Sequence, residues 1–291
     1  MNPFFSVIVP VYNRAHLVAK TIDSVINQDF EGFELILIDD KSSDDSLQVL
    51  LGAAKKDARI KVLTLDENQG RCIARNEGLL SSQGDWMCFL DSDDAYYPNH
   101  LRTLYNAIQN HPKQGAFATL QLMGELETSY NMKYLKIEDA VEGNPVQLNQ
   151  LCYHKSLACY FVDERLPISE DWLFLRELLL KTTVRIVNTL TCRLIEHEHR
   201  SMKTTEVQII AYFNNYSTAL FLERNKVPNN LKRSLLSNTK LLAANMLLSK
   251  GMKKESKEYL IDSLKYLKTY TNPLLYKAII KLILAKQKIY E

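Results

Sequence analysis

A chain of 291 residues can bury a sizeable core, and a composition of 46% apolar and 24% charged residues with few glycines and prolines excludes a disordered or fibrous polymer. The net charge of +2 hides an asymmetry: residues 226–291 hold 14 Lys/Arg against 4 Asp/Glu, so that segment carries about +10 and the rest about −8. The five cysteines, Cys72, Cys88, Cys152, Cys159 and Cys192, form no C-x-x-C pair, and no stretch reaches the roughly 18 uncharged apolar residues of a spanning helix, which argues against a zinc site, a disulfide framework or a membrane span.

Ser6-Val7-Ile8-Val9-Pro10 is a β-branched run ended by proline, and 15–28 carries apolar residues at helical spacing, so strand then helix is expected. Glu34 to Ile38 is a second strand that stops at Asp39-Asp40, and Asp44-Asp45 open a helix towards Lys56. Arg59 to Leu65 reads as a strand, Gly70 to Ser81 as a helix, Trp86 to Leu90 as a strand, and Pro98 to His111 as a helix. This alternation predicts an α/β, Rossmann-like, doubly wound and mostly parallel sheet, whose ligands lie beyond the carboxyl ends of the strands.

Two acidic clusters fall at those ends, Asp39-Asp40 and Asp91-Ser92-Asp93-Asp94. Carboxylates packed this tightly repel one another, so they stay ionised only in open water or beside a cation. Asp-x-Asp at a strand end therefore offers hard oxygen ligands for manganese or magnesium, while the bland alternative is a solvated turn.

Apolar alternation thins between Gly124 and Pro145, which predicts a variable excursion. Ser169 reads as a cap before Glu170-Asp171 at the start of a buried helix, and 184–187 and 191–195 read as strands leading into Glu196-His197-Glu198-His199-Arg200-Ser201. From Glu206 only helices are expected. Domains of 1–205 and 206–291 follow, the second a basic helical region in which 235–249 and 255–270 pair antiparallel about Gly251-Met252.

Four motifs together resemble a family 2 glycosyltransferase, the A-type fold that moves sugar from a nucleotide-sugar. They are Ser6 to Asn13 (SVIVPVYN), Ile38 to Asp44 (IDDKSSD), Asn68-Gln69-Gly70 with Ala74-Arg75-Asn76-Glu77-Gly78, and Phe89 to Asp94 (FLDSDD). Lys41 stands where that family often has glycine, and a fainter likeness continues through Pro145-Val146-Gln147 and Ser169-Glu170-Asp171. The resemblance implies an inverting, metal-dependent transferase that takes a UDP-sugar to a saccharide or lipid-linked hydroxyl acceptor, in cell-surface polysaccharide or glycolipid synthesis. It places Pro10, Tyr12 and Asp40 at the nucleobase, with Arg71 and Arg75 divided between diphosphate contact and bridging the acids. It gives Asp91 to the ribose or metal, Asp93 to the metal, Asp94 to the sugar, His199 to metal or diphosphate, and Asp171 the role of general base.

Other readings stay open. A catalytically inactive nucleotide-sugar-binding or scaffold protein would share the fold, although none of the motif acids is missing. A nucleotidyltransferase would want a glycine-rich basic phosphate loop, and 9–14 is not one. The basic helical region reads as a cap on the catalytic domain or an oligomer contact, then as a peripheral membrane contact, and least as a nucleic-acid surface. With no basic leader at the start, the expected location is cytoplasmic, free or at the cytoplasmic face of a membrane.

Overall fold

Seven consecutive buried residues make Phe5–Val11 (β1) a strand covered on both faces. In the computed structural model, which describes residues 2–141, 143–161, 166–196 and 206–266, β1 lies between Phe33–Asp39 (β2) and Trp86–Phe89 (β4), both parallel to it. Ile60–Thr64 (β3) extends the parallel array outside β2. Register pairs Val11 with Asp39 and Ile8 with Phe89, so Pro10, Asp39, Asp40 and Asp91 reach one rim at the carboxyl ends of neighbouring strands. The predicted mixed α/β class with a mostly parallel central sheet is the class observed.

Beyond β4 the sheet continues through Leu151–His154 (β9), Ala116–Met123 (β6), Val184–Leu194 (β10) and Ala95–Tyr96 (β5), giving the order β3-β2-β1-β4-β9-β6-β10-β5. The excursion expected after Gly124 holds only the two-residue strands Leu126–Glu127 (β7) and Tyr134–Leu135 (β8) and a 3₁₀ turn at Ile137–Ala140. The two strands predicted at 184–187 and 191–195 are one, β10, with irregular register between Ile186 and Cys192.

Helices Val18–Ile26 (α1), Ser46–Ala54 (α2), Arg71–Ser81 (α3) and His100–Asn110 (α4) fall where the periodicity puts them. A Cβ on Gly78 would meet Ile8 Cγ2 at 2.5 Å and Ile38 Cδ1 at 2.9 Å, so glycine lets α3 lie directly on the two central strands. All five cysteines are buried and none is in a disulfide, and burial pushes the Cys192 thiol up to about 12.

His100 is fully buried, with Nδ1 2.7 Å from Thr191 Oγ1, its ring stacked on Tyr96, and no hydrogen-bond partner at Nε2 among the described residues. Burial pulls its pKa down from 6.5 to about 3, so below pH 6.5 the unfolded chain binds the extra proton. Its contribution to stability is complete above about pH 6.5 and is lost as pH falls towards about 3. Urea unfolding should show about 2 kcal/mol lost between pH 6.5 and 5 from this group, and a His100→Gln variant should lose that slope.

The described residues fall in two compact units, one within Met1–Lys136, Val146–Pro167 and Glu177–His197, the other within Ile137–Pro145, Ile168–Arg176 and Glu198–Glu291. Glu170–Lys181 (α5) runs from the second into the first. The second also holds Val207–Arg224 (α6), Asn229–Ser249 (α7) and Lys253–Leu264 (α8), making eight α-helices among the described residues. Gly251, at φ 78°, turns α7 into α8, and Ser256 Oγ donates to Ala244 O while Lys240 bridges Asp262, which fixes the pair as antiparallel. Tyr259 is partly buried against the cluster of Ala211, Ala243 and Leu247. Residues 267–291, which include the end of the predicted helix 255–270, lie outside the described residues.

Candidate active site

Three backbone positions with left-handed φ punctuate the motifs: Asn13 at 52°, Lys41 at 58° and Ser169 at 68°. Lys41 occupies a conformation that glycine adopts without cost and a Cβ disfavours by about 1–2 kcal/mol, which explains glycine as the usual residue there. Lys41→Gly should therefore raise stability by about 0.5–1 kcal/mol in urea unfolding, after the entropy glycine loses on folding.

The turns around Asn13 and Lys41 are joined side to side. Asn13 N–H donates to Ser42 Oγ, Ser43 N–H donates to Asn13 Oδ1, and Ala15 N–H donates to Asp44 Oδ2. Tyr12 stands on this rim with 45% of its surface exposed, above buried Pro10. Asp39 Oδ2 accepts from Ser42 N–H at 3.2 Å.

Asp40 is buried and grips the 68–70 turn. Gln69 N–H and Gly70 N–H each donate to its carboxylate at 2.8 Å, and Asn68 Nδ2 donates to Oδ2 at 3.2 Å. Burial raises its pKa while the two amides act against that shift. Gly70, at φ 88°, then starts α3, whose first residue, Arg71, is exposed.

The acids after β4 form a tight cluster, with one ligand oxygen each from Asp91, Asp93 and Asp94 within 4.8 Å of one another. Carboxylates this close repel by about 3 kcal/mol per pair at an effective dielectric of about 20. Two arginines offset part of this: buried Arg75 Nη2 donates to Asp91 Oδ1 at 2.8 Å, and Arg14 Nε lies 3.6 Å from Asp93 Oδ2. Arg75 thus takes the bridging role. Asp94 is fully buried, with Oδ2 accepting from Asn149 Nδ2 at 2.6 Å and Oδ1 from Ile195 N–H at 2.9 Å. Asn149 Oδ1 also accepts from Asp91 N–H, so one amide clamps both ends of the acidic turn.

Neither Asn149 nor Arg14 was singled out from sequence. Asn149-Gln150 inside the apolar run 148–152 was the available signal, because consecutive buried amides need partners.

Asp171 belongs to the second unit, in the first turn of α5. Its Oδ1 accepts from Trp172 N–H at 2.9 Å and its Oδ2 from Asn144 Nδ2 at 2.7 Å. Ser169 Oγ donates to Asn214 Oδ1 of α6 at 2.5 Å. His199 lies outside the described residues.

The sequence model of Glycosyl transferase family 2 matches residues 6–177, more than half of the chain. The chain belongs to that family. Among the relatives of this family 2 protein is the GalNAc(5)-diNAcBac-PP-undecaprenol beta-1,3-glucosyltransferase of Campylobacter jejuni, 44% identical over 103 residues, which are 35% of this chain and 33% of that one. The chain spans 60% of the length of one curated relative, from Haemophilus influenzae, and 49% or less of the others compared. S. aureus TarS 1-349 in complex with UDP-GlcNAc has the same fold, with a TM-score of 0.74 at 19% identity over 98% of this chain and 90% of that one. The mannosyltransferase PcManGT from Pyrobaculum calidifontis, in complex with GDP-Man and Mn2+, gives a TM-score of 0.66 at 17% identity over 100% of this chain and 82% of that one. Among the described residues no helix is long and apolar enough to cross a membrane.

Proposed function

We propose that this protein is an inverting, metal-dependent glycosyltransferase that carries a sugar from a UDP-sugar to a hydroxyl of a saccharide or lipid-linked saccharide, in the synthesis of a cell-surface polysaccharide or glycolipid. The observation that carries the reading is the Asp91-Asp93-Asp94 cluster at the carboxyl end of β4, on the rim that also bears Asp40 and Tyr12. The relative named for an undecaprenol-linked glucosyl transfer, and the solved relatives in complex with UDP-GlcNAc and with GDP-Man and Mn2+, support the donor class, the metal and the acceptor class.

The cluster fits a divalent cation: its donors are hard oxygens, one from each of three carboxylates within 4.8 Å of one another. Asp93 and Asp91 would hold the ion, with His199 as the further ligand that the family resemblance suggests. When bound, it supplies positive charge against the diphosphate leaving group. Tyr12 offers an aromatic face for the base, Asp40 orders the turn before α3, and Arg71 meets diphosphate. Asp94, locked to Asn149 and Ile195, fixes the acidic turn, and its contact with the sugar rests on the resemblance alone. Asp171 takes the proton of the acceptor hydroxyl, and one base without a covalent partner gives inversion.

The basic helical region serves as a cap or oligomer contact, with a peripheral membrane contact at the cytoplasmic face as the second reading. A scaffold reading has no missing motif acid to support it. Isothermal titration with UDP, in manganese and in EDTA and with GDP as control, tests the proposal; absence of metal-dependent UDP binding would sink it.

A further inference from the structure

We infer that Asn144 is a positioning residue for the base, fixing the carboxylate of Asp171 through its side-chain amide; this rests on the base role proposed above. Asn144 Nδ2 donates to Asp171 Oδ2 at 2.7 Å, while Trp172 N–H donates to Oδ1. Each carboxylate oxygen therefore has a donor of its own, which sets the plane of the group.

The amide gives up something for this contact. Asn144 Oδ1 is buried and has no hydrogen-bond partner among the described residues, an uncommon state for a native side chain. Flipping the amide would point its carbonyl oxygen at the Asp171 carboxylate, which has no proton to offer it. An apolar residue here would leave no acceptor stranded, so the donor is what the position retains.

The segment that carries Asn144 is held against α5 at a second point. Arg176, fully buried, donates from Nε to Ala140 O at 3.2 Å and from Nη1 to Thr218 Oγ1 at 2.8 Å, and its guanidinium lies over the Trp172 ring at 5.0 Å. Thr218 in turn meets Thr239 of α7 at 3.0 Å. One helix thus holds this stretch at two points, through Arg176 to Ala140 and through Asp171 to Asn144. Such bracing holds a base within the narrow geometry that proton transfer needs.

The test is a double-mutant cycle on Asn144→Ala and Asp171→Asn, read as UDP release from UDP-glucose, UDP-galactose and their N-acetyl forms with water as acceptor. Asn144→Ala should lower kcat about 10- to 100-fold, leave the KM of the donor and the manganese-dependent affinity for UDP unchanged, and cause no further loss in the Asp171→Asn background. Asn144→Ser, which keeps a donor on a shorter stem, should recover part of the rate and serves if the alanine variant does not fold. Wild-type kcat in Asn144→Ala, or an equal loss in both backgrounds, overturns the inference while leaving the base intact. If Asp171→Asn itself keeps full turnover, or the wild type releases no UDP from any of the four donors, the base role falls and the inference with it.

Discussion

Asp171→Asn is expected to lower kcat by about 10³-fold while manganese-dependent UDP affinity stays within about twofold. The replacement keeps the size of the side chain and an oxygen that can accept from Trp172 N–H, but an amide cannot take a proton from the acceptor. A residue that acts only as charge rearranges should appear in kcat and not in donor binding. The check is steady-state kinetics paired with UDP titration on the same preparation. Retention of wild-type kcat would remove Asp171 from the reaction; loss of UDP affinity would recast it as a structural residue.

Asp93→Ala is expected to weaken manganese-dependent UDP binding by about 100-fold or more, equivalent to about 3 kcal/mol. Of the three clustered acids, Asp93 is the one to remove. Asp91 is tied to Arg75, so its loss would leave a buried guanidinium without that partner. Asp94 is worse as a probe, because its removal takes away the acceptor of both the Asn149 amide and the Ile195 N–H. Arg14, which faces Asp93 at 3.6 Å, is partly exposed and can turn to water when the carboxylate goes. Titration in manganese and in EDTA separates the two contributions: an Asp93→Ala variant that binds UDP as the wild type does in manganese would show that the cluster does not act through a metal.

Much of the first unit could be read from residue order because its strands are continuous buried runs that stop at charge. Glu34 to Ile38 before Asp39-Asp40 and Trp86 to Leu90 before Asp91 marked both the strands and the rim. β9 was not legible for the opposite reason: Leu151 to His154 is four residues long, and its partner Trp86 lies far back in the chain. The same non-locality hid Asn149, whose two bonds depend on β9 reaching β4, and Asn144, whose partner is 27 residues on. Asp94 shows a different limit. Its place in an acidic turn spoke for solvent or sugar, and only the packing of Ile195 and Asn149 against it shows a fully buried carboxylate.

The second unit pairs Arg176 with Thr218, which follows it by 42 residues. A ribosome adding about 5–20 residues per second exposes that guanidinium some seconds before the hydroxyl that will receive it. The nascent chain can close its sheet in order of synthesis, but the enclosure of Arg176 must wait for α6. Translation therefore imposes a sequence of events in which the mooring of Ala140 comes late, and the arginine stays in water until a distant helix has been made.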